Sequence, residues 1–344
     1  MKKLDDLRRG AEATLLTDVA NVSWLTGFTG DSSCALILPD NAYFITDFRY
    51  VEQAQREVAS AFSIVEMGRM QALCKLLKGV RALAIDFENT SLAEAQQYRE
   101  VLSVQLQDRS ADLRCLRAIK TDDEIARMRR GAKLTQDAFF HVLSYVKEGV
   151  SESDVCAELL YFFHKRGAEP SFAPIIASGE NASMPHAGVT NRRFSPGDFI
   201  TMDFGCKYEG VCTDFTRTIA LFGVAERQKM IYNIVNCAQK AGLAALRAGV
   251  LAGEADAAAR GTIEKAGFAA CFGHGLGHGV GVEIHESPRL APTSEDVLAE
   301  GMVVTVEPGI YLPGIGGVRI EDTCLITETG CEVLFAAPKA LQMI

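Results

Sequence analysis

Tryptophan occurs once in these 344 residues, and no two of the ten cysteines form a Cys-x-x-Cys pair. A chain of this length without such pairs offers neither a zinc knuckle nor a small disulfide frame. Its thiols read as small buried hydrophobes in a reducing compartment. No apolar run approaches the roughly 20 residues that a membrane helix needs. The opening MKKLDDLRRGAEATLL has neither the apolar core nor the small-residue cleavage site of a secretory signal, so a cytoplasmic protein without a membrane partner is expected. A basic excess is also lacking. The chain holds 35 Lys and Arg against 44 Asp and Glu, a net charge of −9, which leaves no footprint for a phosphate backbone and no nucleic-acid partner. Histidine is scarce at six, yet His274, His278 and His285 all fall within FGHGLGHGVGVEIHESP, residues 272–288.

What the chain does have is apolar bulk, 48% of its residues, enough for two domains with buried cores. Residues 1 to about 112 alternate short apolar runs with helical patterns. CALILPDNAYFITD predicts two strands around a Pro-Asp-Asn turn, and FRYVEQAQREV and SLAEAQQYREVL predict amphipathic helices. The charged QDRSADLRCLRAIKT marks a boundary, and Thr121 with Glu124 predicts a capping box that opens a long helix. Beyond it the order helix, helix, strand, hairpin occurs twice, offset by roughly a hundred residues with dissimilar sequences, a weak structural repeat.

Each hairpin of that repeat carries two acids. Asp203 and Asp214 sit on opposite arms of DFITMDFGCKYEGVCTDFTRTIALF, and a type I turn centred between Tyr208 and Glu209 would set them opposite each other, unless a bulge at Gly210 slips the register by one. Glu307 and Glu321 flank a turn centred on Gly314. Directly opposed residues have Cβ atoms roughly 5 Å apart. Like charges that close, within apolar strands, need something positive between them. If the two halves face each other, four carboxylates converge, and a divalent cation satisfies them. Oxygen donors with one imidazole suit Mn²⁺, Fe²⁺, Co²⁺ or Zn²⁺, and the number of donors suggests two ions. The glycines at 273, 275, 277, 279 and 281 share one face if the segment is extended, letting it approach another backbone, with His274 and His278 opposite.

MDFGCKYEGVCTDFTRT, GHGLGHGVGVEIHESP, TVEPGIY and GGVRIEDT together resemble the metal-binding signature of the pita-bread metallopeptidases, the family of methionine aminopeptidase, aminopeptidase P and prolidase. The likeness spans residues 117–344. NVSWLTGFTG and YFITDFRYVEQA resemble the amino-terminal domain of the proline-specific and creatinase branch. The resemblance implies an α/β (α+β) protein, with a creatinase-type domain at 1–112 and a pita-bread catalytic domain at 113–344. It implies Asp203, Asp214, His278, Glu307 and Glu321 as ligands of two divalent ions, Mn²⁺ foremost, with Asp214 and Glu321 bridging. Glu307 would also shuttle the proton. His285 would hydrogen-bond the substrate or the tetrahedral intermediate, His274 and His186 would line the pocket, and Arg319 would support a bridging acid from behind. Catalysis would rest on His186, His285 and Glu307, and a hydroxide held between the ions would attack the scissile carbonyl.

The same resemblance implies a homodimer acting on peptides with proline in second place. The wording and length favour an Xaa-Pro aminopeptidase, with the Xaa-Pro dipeptidase as the alternative. A methionine aminopeptidase-like enzyme, a metal-free creatinase and a non-catalytic binding module rank lower, because the chain has both the extra domain and all five ligands, four acids and one histidine. Other short patterns fall away. HESPR has Arg289 where a zincin helix needs histidine, and the Gly-rich segment follows no clear strand and opens no helix. His141 and His164 read as half-buried helix residues, Trp24 as core or interface, and Asp47 with Arg49 as a structural pair.

Overall fold

In this computed structural model, which describes residues 2–344, the chain divides between Leu116 and Arg117 into two compact units. The first is built on a six-stranded sheet: β1 (Thr14–Leu16), β2 (Ser33–Ile37), β3 (Ala42–Thr46), β4 (Ser63–Glu66), β5 (Ala82–Ile85) and β6 (Gln105–Asp108), in the order β4-β3-β2-β1-β5-β6. β2 and β3 pair from Ser33↔Thr46 to Ile37↔Ala42 around the Pro-Asp-Asn turn read from the sequence. Alternate residues feed two separate clusters. Leu16, Ala35, Ile37 and Phe44 serve one, and Leu15, Cys34, Leu36 and Ile45 the other, so both faces of the sheet are apolar and covered. The helices α1 (Lys2–Arg8), α2 (Val19–Thr26), α3 (Val51–Glu57), α4 (Arg69–Leu76), α5 (Leu92–Leu102) and α6 (Ser110–Ala118) follow. Asp47 and Arg49 form an exposed ion pair, and Trp24 packs at the edge of the first cluster.

The second unit holds the repeat. α7 (Asp122–Leu143) opens on the Thr121–Glu124 capping box, and α8 (Glu152–His164) on a like box made by Ser151 and Asp154. After β7 (Glu169–Pro170) come β8 (Ile175–Ser178), β9 (Phe199–Asp203), β10 (Cys206–Tyr208), β11 (Val211–Cys212) and β12 (Thr216–Ala220). Then α9 (Glu226–Ala245) and α10 (Ala252–Lys265) precede β13 (Gly277–Gly279), β14 (Glu286–Leu290), β15 (Val303–Val306), β16 (Gly309–Leu312), β17 (Gly316–Arg319), β18 (Asp322–Ile326) and β19 (Cys331–Val333). Each half has its own core. α7 and α8 bury Phe139, Phe163 and their neighbours against β8 to β12, while α9 and α10 bury Val235, Ala259 and Ile263 against β15 to β18.

The second hairpin has the register its sequence predicts, and the first is displaced by one residue. Val306↔Asp322 and Gly309↔Arg319 flank Glu307 and Glu321 and set them opposite each other, as a turn about Gly314 requires. In the first hairpin, Tyr208 pairs with Val211, so the loop is Glu209-Gly210. Both residues have positive φ, 50° and 79°, which makes a type I′ turn in place of the expected type I. The turn centre moves by one residue. Asp203 therefore faces Thr216, and Asp214 is its diagonal neighbour on the same face.

The halves join along β12 and the chain from Arg319 to Thr323. Glu321 N–H donates to the Thr216 carbonyl at 3.1 Å, the Thr218 hydroxyl to the Arg319 carbonyl at 2.9 Å, and the Thr323 hydroxyl to the Asp214 carbonyl at 2.7 Å. Arg217 is buried behind this seam. Its guanidinium donates to Asp322 at 2.7 Å and to the carbonyls of Thr216, Glu321, Ala337 and Pro338. Cys74, Cys115 and Cys237 are exposed and His164 is solvent-facing, which corrects the reading of all ten thiols and both helical histidines as buried or half-buried. Removing one partner of a buried ion pair strands the other, so Arg217→Met should lower the unfolding free energy by about 3–5 kcal/mol. Urea denaturation measures this, and a loss below about 1 kcal/mol would mean that Asp322 is adequately served by Lys339 and Gln239 alone.

Candidate metal centre

The seam brings acids from both hairpins together. Asp203 ends β9, Asp214 sits in the break between β11 and β12, and Glu321 lies between β17 and β18. One carboxylate oxygen from each lies within 4.8 Å of the others, and all three residues are buried. Glu307, just past β15, and His278, on β13, close the other side. His278 Nε2 is 3.3 Å from Glu307 Oε1 and 3.5 Å from Asp214 Oδ2. All five residues stand at or beside strand ends or in ladder breaks, where side chains from different strands can point into one space.

Glycine makes room for β13. A methyl group on Gly277 would stand 2.1 Å from the Thr305 carbonyl, and one on Gly279 would stand 2.2 Å from the Ser287 carbonyl. This is the close backbone approach that the alternate glycines predict, although Gly273 faces open space. The extended stretch is short, Gly277–Gly279, but His274 and His278 both lie close enough to Glu307 for their charges to act on it.

Hydrogen bonds fix how each histidine presents itself. His278 Nδ1 is 3.0 Å from the Gly279 carbonyl, which obliges Nδ1 to carry hydrogen and turns Nε2 toward the acids. His274 Nδ1 likewise lies 2.8 Å from the Gly275 carbonyl, so its Nε2, 2.9 Å from the Tyr311 hydroxyl, accepts from that hydroxyl when the ring is neutral. Burial, first of all, holds His274 below its ordinary pKa and favours that neutral form. His285 packs edge-on against His278 at 4.4 Å between ring centres. Partial burial and the neighbouring His278 charge lower its pKa as well. His186 lies in an exposed turn, and its charge helps lower both His274 and His285.

Arg319 is buried and braces the cluster. Its guanidinium donates to Asp203, to the Tyr311 hydroxyl at 2.8 Å, to the Pro185 carbonyl at 3.1 Å and to the Thr216 hydroxyl at 3.3 Å. Thr216 in turn donates to Glu321 at 2.5 Å. Arg319 thus reaches Asp203 directly and Glu321 through Thr216. Tyr311, Thr216 and Thr305, which donates to Glu307 at 3.1 Å, escaped the sequence reading. The signal was strand parity. Thr216 shares a face with Asp214, Thr305 with Glu307, and Tyr311 stands four residues past Glu307.

These residues fit a cation. Two buried carboxylate oxygens, Asp203 Oδ1 and Glu321 Oε1, have no hydrogen-bond partner, an arrangement that is costly unless a positive ion meets them. Burial, then the other acids, push Asp214 and Glu321 well above the ordinary carboxylate range, and burial raises Asp203. Burial also works against charge on Glu307 and His278, but their mutual attraction wins, holding Glu307 at about 2 and His278 at about 9.

Without metal, then, the folded protein binds more protons here than the unfolded chain does. Asp203, Asp214, Glu321 and His278 have raised folded pKa values, so the stability tied to them is present below their unfolded values and is lost as pH rises through the folded ones. Glu307 acts oppositely, but only below its ordinary 4.5, and so do His274 and His285, whose lowered values matter only below their ordinary 6.5. Chelated protein should therefore melt at progressively lower temperature from pH 7 to pH 9, above the range in which the two histidines titrate. Mn²⁺ at pH 7 should release protons, seen as a buffer-dependent enthalpy in titration calorimetry. A melting temperature that stays level or rises over that range would count against buried, proton-holding acids.

Comparison with known proteins fits this geometry. The pattern of metallopeptidase family M24 matches residues 126–328, and that of the creatinase/prolidase N-terminal domain matches residues 4–119. An Xaa-Pro dipeptidase of Pyrococcus horikoshii is 34% identical over 97% of this chain and 95% of its own. The structure of an Xaa-Pro dipeptidase from Bacillus anthracis superposes with a TM-score of 0.96 at 41% identity, covering 100% of this chain and 99% of that one. An X-Pro aminopeptidase from Thermotoga maritima superposes at 0.94 with 31% identity, again over 100% and 99%. The chain belongs to metallopeptidase family M24, its pita-bread catalytic domain preceded by a creatinase/prolidase N-terminal domain.

Proposed function

We propose that this protein is a metal-dependent exopeptidase that hydrolyses the bond before proline in Xaa-Pro dipeptides. The observation that carries the metal-dependent part is the buried cluster of Asp203, Asp214 and Glu321, with two oxygens unpartnered beside His278 and Glu307. The preference for proline and for dipeptides rests on likeness. The dipeptidases of B. anthracis and P. horikoshii, at 41% and 34%, stand nearer in sequence than the T. maritima aminopeptidase at 31%. This favours a dipeptidase over the aminopeptidase expected from the motifs alone.

In this reading Asp203, Asp214, His278, Glu307 and Glu321 hold two divalent ions, with Mn²⁺ suited to a set so rich in oxygen. When bound, the ions acidify water and polarise a carbonyl. Everything else falls to the chain. Glu307, kept ionised by His278 and steadied by Thr305, takes the proton of the attacking water and delivers it to the departing proline nitrogen. That nitrogen must gain a proton to leave as an amine. His285 has an exposed edge and is free to donate to the oxygen on which charge develops. His274, with its tautomer set by Gly275 and Tyr311, and His186, in its exposed turn, line the substrate side. Arg319 holds Asp203 in place from behind.

The deciding test is hydrolysis of Ala-Pro beside Ala-Pro-Ala-Ala by protein first chelated and then given Mn²⁺. Cleavage of Ala-Pro with the tetrapeptide left intact is expected. Equal cleavage of the tetrapeptide restores the aminopeptidase reading, and failure on both ends the proline-directed one. His285→Ala should lower kcat on the order of 10²-fold with metal content unchanged, the cost of one lost donor to a developing charge. Unchanged kcat would remove His285 from the chemistry. Asp214→Ala should lose both hydrolysis and bound Mn²⁺, by metal analysis, while circular dichroism stays native.

A further inference from the structure

Glu152 is the first residue of α8, behind the Ser151 cap, and its side chain is fully buried. Its Oε1 accepts from the Ser178 N–H at 2.8 Å, the Ser178 hydroxyl at 2.7 Å and the Asn181 side-chain amide at 3.1 Å. Its Oε2 accepts from the Thr190 N–H at 3.0 Å and the Thr190 hydroxyl at 2.6 Å, with Asn181 also at 3.4 Å. The partners are two backbone amides, two hydroxyls and a side-chain amide. Positive charge arrives through Ser178, whose hydroxyl also receives Arg192 Nη1 at 2.8 Å. One carboxylate thus grips both ends of the segment 178–190.

That segment carries His186 at its exposed turn and Pro185, whose carbonyl receives Arg319. Inside the segment Ala182 and Ala187 are buried with Ala177. The β17 backbone presses on the same loop, where a methyl group on Gly317 would stand 2.2 Å from the Ala182 carbonyl. The loop has little apolar surface of its own, so its shape depends on the polar bonds at its base. We propose that Glu152 is a positioning residue. By clamping Ser178 and Thr190 it fixes the loop that presents His186 to substrate and the Pro185 carbonyl to Arg319. The inference rests on the role given to His186 above, but the clamp itself can be tested without it.

Glu152→Gln keeps the shape and turns one acceptor into a donor. Wherever its amide group points, it meets a backbone N–H that cannot reverse. Hydrogen–deuterium exchange of the full-length, Mn²⁺-loaded protein should then rise about tenfold across residues 178–190 and stay unchanged in α7, α9 and β15. kcat/KM on Ala-Pro should fall on the order of tenfold. His186→Ala should fall similarly, and the double variant should be no worse than the worse single one. Unchanged exchange at 178–190, a rise spread over the whole unit, or losses that multiply in the double variant would each overturn the proposal. If Glu152→Gln does not fold, Ser178→Ala/Thr190→Val removes two donors from the other side and is judged by the same outcomes. A wild-type protein inactive on Ala-Pro would end the dipeptidase reading, and the exchange pattern would still decide the clamp.

Discussion

Asp203, Asp214 and Glu321 offer carboxylate oxygens within 4.8 Å of one another in the interior, and the rest of the catalytic unit is arranged around that crowding. Two unit charges at 4 Å repel by about 4 kcal/mol at an effective dielectric of 20, and three acids make three such pairs. Arg319 relieves Asp203, and His278 lies beside Asp214. Among the described residues Glu321 has only the Thr216 hydroxyl as a side-chain donor. A cluster so poorly compensated persists only when the surrounding strands leave its members nowhere else to point. The sheet must therefore be rigid here, and the site draws on its rigidity twice: to hold the acids together, and to keep them aimed when an ion replaces the protons.

The rigidity comes from register. Every acid is placed by a hairpin whose turn fixes which residues face inward, and a slip of one residue would send each acid to the opposite face. The type I′ turn at Glu209-Gly210 does this for the first half, and the turn about Gly314 for the second. β13 adds His278 by a different device, a strand so free of side-chain bulk that it lies against the carbonyls of Thr305 and Ser287. Glycine costs backbone entropy there, and the neighbouring strands offset it.

Much of this was legible in the sequence, and the misses have physical reasons. The strand–turn–strand of residues 34–47, the Thr121 cap, the two helix pairs and the facing of Glu307 with Glu321 follow from local pattern, where residue type and spacing decide the outcome. The Asp203 register takes the one-residue slip that the sequence leaves open, because Lys-Tyr-Glu-Gly reads as a type I turn and nothing local says that Glu209 accepts φ of 50°. Tyr311 and Glu152 were missed for another reason. Tyr311 looks like any aromatic in an apolar strand until His274, 37 positions away, and Arg319 close on it. Glu152 looks like an ordinary acid in a first helical turn, where the helix dipole alone would justify it. Their partners are remote in sequence, and only the fold supplies them.

The two buried arginines show how the repeated halves were made into one site. Arg217 belongs to the first half and ends on Asp322 of the second. Arg319 belongs to the second half and ends on Asp203 of the first. Each sits within three residues of an acid of the cluster, Asp214 and Glu321, and each crosses the seam. A guanidinium delivered from the opposite half serves better than one from the same half, because its planar donors then fix the relation of the two sheets as well as neutralise a charge. The acids alone would push the halves apart. The crossed arginines set against that repulsion two buried ion pairs whose formation requires the halves to be correctly aligned. Alignment of the seam and assembly of the carboxylate cluster are therefore one event, and a site that no single hairpin contains becomes a fixed property of the fold.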